Sequence, residues 1–152
     1  AIRPASAPPE HLVGRRVGII AQAVYAPATD RPGARHPAGD DWVGPDERMT
    51  YRPLERWMAA QGVDAHCHYR VDSLLGMLAA VREGLGQAVL PCYLADDDAR
   101  LVRVGEPIPE LATDLWLLTH PDLRRVARIR ALMEFVAQAV NEQRARLAGE
   151  RT

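Results

Sequence analysis

The sequence predicts an α/β domain with a largely parallel sheet. Short apolar runs alternate with amphipathic stretches along the chain, and Gly or Pro separates them. At 152 residues the chain is long enough for one domain with a proper core and too short for two.

The elements follow in order. PASAPPE, 4 to 10, is a proline-rich lead-in. RRVGIIAQAVYA, 15 to 26, is an apolar run bounded by arginines and Pro27 and is expected to be one buried strand. Residues 27 to 40 are rich in Pro, Gly and Asp and have no periodicity, the pattern of a loop. DWVG, 41 to 44, is a short strand. A helix is expected from about Thr50 to Gln61, with Leu54, Trp57, Met58 and Gln61 on one side and Gly62 as its stop. VDAHCHYRV, 63 to 71, alternates like a strand: Ala65, Cys67 and Tyr69 share one face, His66, His68 and Arg70 the other.

Asp72 or Ser73 can cap the next helix, which runs to about Glu83 with Leu74, Leu75, Leu78 and Val81 as its apolar side. QAVLP is a short buried strand, CYLADDD a turn or single helical turn, and RLVRV, 100 to 104, another strand. After GEPIPEL comes the apolar strand DLWLLT, 114 to 119. The last helix is expected to start near Pro121 and to bury Val126, Ile129, Met133, Val136 and Val140, which step by three and four.

Composition narrows the function classes. Hydrophobic residues make up 47% and charged residues 26%, ordinary for a globular protein. The net charge of -1 gives no electrostatic reason to expect nucleic acid as the main partner of this segment. All 19 basic residues are arginine, which with the abundant Ala, Pro and Gly suggests a GC-rich bacterial gene. No run approaches the ~20 apolar residues that cross a bilayer. A basic-then-apolar leader is also lacking, so no membrane partner is expected and a cytoplasmic address is the default. The chain opens Ala1-Ile2-Arg3-Pro4 without methionine, as a piece of a longer protein would.

REGLGQAVLP, 82 to 91, poses the sharpest chemical question, because Gly84-Leu85-Gly86 could cradle a phosphate. A dinucleotide fingerprint needs strand, then Gly-x-Gly-x-x-Gly, then helix. Here a helix precedes the glycines, a strand follows them, and position 89 is Val. Gly84 is read as a left-handed helix cap and Gly86 as a tight turn, so no nucleotide cofactor is expected. In His66-Cys67-His68 a strand would turn the cysteine away from the two histidines, so the three cannot close round one ion and no metal is expected. Cys92 follows Pro91 at a strand end, but the acidic run Asp96-Asp97-Asp98 disfavours a thiolate, so no catalytic residue is assigned. The arginines of the last helix, interleaved with Glu134, Glu142 and Glu150, read as a solvated face. The unit from Tyr69 to Pro91 directs the amides of residues 73 to 75 toward a sheet edge where α/β folds bind ligands, with Asp72 competing for the same helix end.

VDSLLGMLAAVREGLGQAVLPCYLADDDARLVRV, 71 to 104, and LWLLTHPDLRRVARIRALMEFVAQAV, 115 to 140, resemble the C-terminal half of bacterial LysR-type transcriptional regulators. The opening IRPASAPPEHLVGRRVGIIAQAVYA resembles that family's passage from its first effector lobe into its second. The resemblance implies a periplasmic-binding-protein-like (type II) effector domain, mainly its second lobe plus the C-terminal strand and helix of the first. Residues 1 to 15 would be the lead-in from the first lobe, 16 to 112 the second lobe, and 113 to 152 the return to the first. It implies a small-molecule effector, a carboxylate or another metabolite, bound between lobes and altering how a homo-oligomer holds promoter DNA. A winged helix N-terminal to this segment would read that DNA. Carried over, the cleft-facing positions are Val71, Asp72 and Ser73 at the helix start, Leu90 and Pro91 at the strand end, and Tyr25 and Ala26 where the chain enters the lobe. A solute-binding protein of the same fold is the alternative, and an enzyme using Cys92 with a histidine a third reading.

Overall fold

The computed structural model describes residues 1–28 and 41–151; most of the expected loop at 27 to 40 lies outside the described residues. The fold is mixed α/β, built on two sheets that share the chain between them. The first sheet contains β1 (Ile2–Pro4), β2 (Val13–Ile20) and β8 (Thr113–Thr119), in the order β1-β8-β2 and antiparallel throughout. The second contains β3 (Gln22–Pro27), flanked on both sides by antiparallel neighbours, β6 (Ala88–Pro91) and β7 (Leu101–Val104). β4 (Trp42–Pro45) and β5 (Cys67–Val71) form a parallel pair, joined to the edge of β6 by a parallel bridge from Trp42 to Gln87.

The expectation of a largely parallel sheet needs correction. β4, β5, β6 and β7 run one way, but β3 runs against them between β6 and β7, and the first sheet has no parallel pair. The cause is the single strand expected over 15 to 26, which is two. The chain leaves the first sheet at Ile20 and enters the second at Gln22, with Ala21 as the joint. That reversal was hidden because both halves are apolar and no Gly or Pro separates them.

Helix α1 (Arg52–Ala60) buries Leu54 and Met58 and sets Trp57 against Trp42, ring centroids 6.1 Å apart. Helix α2 (Leu74–Arg82) is capped by Ser73, whose Oγ accepts from the Gly76 amide at 3.2 Å. Leu78 and Val81 are buried as expected and Leu74 packs against the core, but Leu75 is 66% exposed and Met77 and Ala80 complete the buried face instead. Gly84 does end the helix: φ is 81°, and the amides of Gly84 and Leu85 bond back to Val81 and Ala80 at 3.0 and 3.1 Å. The stretch expected as a strand from 63 begins as a 3-10 turn at Asp64–His66, so only Cys67–Val71 pairs. Tyr69 is exposed there, because β5 is an edge strand.

Helix α3 (Cys92–Ala95) is a single turn. Helix α4 (Ala127–Glu142) starts later than the expected Pro121, which instead opens a 3-10 turn over Pro121–Leu123. Its face of Val126, Ile129, Met133, Val136 and Val140 is half-buried rather than buried. Helix α5 (Arg144–Leu147) brings the chain back to the joint, where the Ala21 amide donates to the Leu147 carbonyl at 2.8 Å.

Gly86 is required by close approach. A Cβ there would lie 2.6 Å from the Asp41 carbonyl oxygen, in the segment where β4 meets the strand after the glycines. Gly62, at φ 71°, has open space around it. Gly86→Ala is expected to cost about 2–3 kcal/mol by forcing backbone apart, against about 1 kcal/mol for Gly62→Ala, which meets only dihedral strain. Paired urea denaturation curves check the order; equal losses would refute the contact.

Arg103 is the one buried cation among the described residues. It pairs with Asp96, contacts the Tyr25 hydroxyl at 3.3 Å, and donates to the Gly149 carbonyl at 2.9 Å. Arg103→Met is expected to cost about 2–3 kcal/mol, the low side for a broken buried pair because Asp96 keeps some solvent. Thermal denaturation should register this as a clear fall in Tm; an unchanged Tm would mean that the clamp on Gly149 is idle.

Candidate functional site

A cleft of ≈ 690 Å³ opens between the two sheets. Its floor is apolar: Leu54 of α1, Met77 of α2, Val89 and Pro91 of β6, and Ile20 at the end of β2. Its walls come from the lead-in (Pro4, Ala5, Ser6), the segment before α1 (Met49, Tyr51), Leu74 at the start of α2, Tyr93, and the chain returning to the first sheet (Glu110 to Asp114). Volumes of about 300–1,000 Å³ with few polar groups are typical of small-molecule sites.

Gln22 is the buried polar residue of this cleft, at 7% exposure. Its carboxamide nitrogen donates to the Tyr51 hydroxyl at 2.7 Å and to the Leu111 carbonyl at 2.9 Å. Its backbone carbonyl accepts from the Ile108 amide at 2.8 Å. One residue therefore ties the outgoing passage at 20–22 to the returning one at 108–113. Next to Tyr51, Thr50 has φ 39°, a left-handed conformation that costs a non-glycine residue roughly 1 kcal/mol or more. Such strain marks a segment held in place by its surroundings.

The expected site residues fall in three places. Pro91 lines the cleft, and Leu90, fully buried, points to the opposite face of β6, as strand alternation requires. Val71, Asp72 and Ser73 stand at the start of α2, one step before the cleft-lining Leu74; Ser73 is engaged as the cap and Asp72 lies 3.9 Å from Arg48. Tyr25 and Ala26 sit at the far end of β3 from Gln22. There the Tyr25 hydroxyl donates to Asp96 at 2.7 Å, within a separate depression of ≈ 390 Å³. Gln22, Met49, Tyr51, Met77, Tyr93 and Thr113 were not foreseen. The available signal was Gln22 itself, a single polar side chain inside GIIAQAVYA.

The other candidate chemistries separate in space. Cys92 is fully buried, and burial pushes its thiol above the usual range, the reverse of an activated nucleophile. Cys67 turns toward the core while His68 lies outside, 3.6 Å from Asp41. Among the described residues no three His, Cys, Asp or Glu side chains gather as a metal would need, and no helix is long and apolar enough to cross a membrane.

The model of the LysR substrate binding domain matches residues 1–141. No curated protein matches the sequence. Solved structures do. The CrgA regulatory domain, a LysR-type transcriptional regulator from Neisseria meningitidis, superposes with a TM-score of 0.67 at 18% identity, covering 91% of this chain and 74% of that one. The effector domain of AmpR from Pseudomonas aeruginosa gives 0.63 at 18%, covering 94% and 71%. The regulatory domain of CcmR from Synechocystis PCC6803, solved with 2-PG, gives 0.64 at 15%, covering 91% and 73%. The shared fold is the type II periplasmic-binding-protein-like arrangement.

The Gln22 to Tyr51 link predicts a thermodynamic coupling. Gln22→Leu should cost about 1–3 kcal/mol by stranding the Leu111 carbonyl and the tyrosine hydroxyl, and Tyr51→Phe about 1 kcal/mol. A double-mutant cycle by chemical denaturation should give a coupling of at least about 0.5 kcal/mol; strict additivity would mean that the contact carries no stability.

Proposed function

This chain belongs to the LysR substrate binding domain family, and we propose that it is the effector-sensing part of a LysR-type transcriptional regulator. The observation that carries the reading is the cleft between the two sheets, apolar in its floor and crossed by Gln22 where the chain passes from one sheet to the other. A ligand seated there touches both sheets, so its binding energy differs between open and closed arrangements, the requirement for a sensor.

In this reading residues 16 to 112 form the second lobe, 113 to 152 return to the first, and 1 to 15 lead in from it. Pro91, Gln22, Tyr51 and Leu74 hold the effector, with Val71, Asp72 and Ser73 at the rim. The protein works in the cytoplasm as a homo-oligomer, without catalysis, and a winged helix in the parent chain contacts promoter DNA. A parent gene lacking such a segment upstream of the codon for Ala1 would sink the regulator reading.

The cleft itself is tested by thermal denaturation of this chain against a metabolite panel. A true effector at ~100 times its Kd should add about 2.7 kcal/mol, a rise of roughly 5–10 °C for a domain of this size. Leu74→Trp, which narrows the cleft, should abolish the rise. A compound that stabilises both forms equally binds elsewhere.

A further inference from the structure

The polar groups of the cleft have a sign. Among its described lining residues are two carboxylates, Glu110 and Asp114, and no arginine or histidine; the sequence has no lysine at all. Asp114 is partly answered by Arg16 at 3.1 Å, whereas Glu110 is exposed and makes no ion pair among the described residues. The α2 N-terminus is the one element that would welcome an anion, carrying about half a positive charge. Asp72, itself 3.9 Å from Arg48, stands beside it and competes for the same helix end, and the Ser73 hydroxyl already occupies the Gly76 amide. Ala28 and Asp41, which flank residues 29–40, lie at the end of the second sheet away from the cleft: Ala28 bonds to Arg100, and Asp41 to Gln87.

Gln22 supplies the complementary half of the argument. Both hydrogens of its amide nitrogen are spent, on Tyr51 and Leu111. Its Oε1 has no partner among the described residues, although the side chain is more than nine-tenths buried and lines the cleft. Among the described residues no buried side-chain polar atom lacks a partner, so this oxygen is open to the cleft, an acceptor that a donor on the ligand can meet.

We infer that the cleft selects a neutral, largely apolar molecule bearing at least one O–H or N–H donor, the class of phenols, alcohols and amides, rather than a carboxylate or phosphate. The donor meets Gln22 Oε1, and the apolar body lies on Leu54, Met77, Val89 and Pro91. An anion would leave bulk water for a pocket whose described lining holds two carboxylates and no cation. This inference rests on the cleft being the effector site.

The test uses matched neutral and anionic probes on this chain: benzyl alcohol with benzoate, and indole-3-methanol with indole-3-carboxylate. Binding is followed by chemical-shift titration of the cleft methyl groups of Leu54, Met77 and Val89, which detects millimolar affinity. In each pair the alcohol is expected to bind at least about tenfold more tightly, with Gln22→Leu reducing the preference and Leu74→Trp removing binding of both. If Gln22→Leu unfolds, Tyr51→Phe, which releases one amide hydrogen, is read for the same loss of preference. A carboxylate that perturbs the same methyl groups as strongly as its alcohol overturns the ligand class and leaves the cleft standing. If no probe of either kind moves those resonances, the cleft and the ligand class fall together.

Discussion

The structure depends on how one buried peptide group, at Ala21, is satisfied. The chain must pass between two sheets through the protein interior, where an unpaired backbone N–H or C=O costs about 1–3 kcal/mol. At Ala21 neither is left over: the N–H reaches Leu147 of α5 at 2.8 Å, and the carbonyl accepts from Cys92 at the start of α3 at 2.9 Å. The joint thus joins the first sheet, the second sheet and the C-terminal helix. The Arg103 contact to Gly149 reinforces it from the other side. Gly149 fits because a Cβ there would lie 2.8 Å from Cys92 Sγ.

The cleft is a by-product of the same passage. Two crossings, at 20–22 and 108–113, run side by side, and the sheets spread apart on one side of them. Gln22 belongs to the crossing and to the cleft wall at once. Position in the hinge and position in the pocket are therefore one property of one side chain, and a ligand that engages it acts on the joint directly.

Features set by neighbours in the chain were legible in the sequence. Ser73 as a cap, Gly62 and Gly84 as helix stops, and the reversed order of elements round Gly84 and Gly86 all depend on a few adjacent residues. Pro91 was legible for a topological reason, since strand ends in α/β sheets face clefts. What was not legible depends on contacts across the chain. Nothing local in GIIAQAVYA marks the turn from one sheet to the other, since both halves are apolar. The choice of Met77 over Leu75 for the buried face of α2 is made by what lies beneath the helix. Tyr51 and Thr113 reach the cleft only because α1 and β8 pack beside the crossings, which no periodicity encodes.

The first sheet carries a consequence for the order of events during synthesis. β8 lies between β1 and β2, and the amino group of Ala1 bonds to the carbonyl of Leu118 across 117 positions. Among the described residues the strand partner that β1 and β2 share is β8, so this pairing waits until residues 113 to 119 have been made, while the second sheet can already assemble. Long-range pairing of this kind is slow and exposes strands to wrong partners. Gly14 and Arg16 on β2, and Pro4 on β1, suit such a wait: a glycine, a charge and a proline are poor templates for a stray strand.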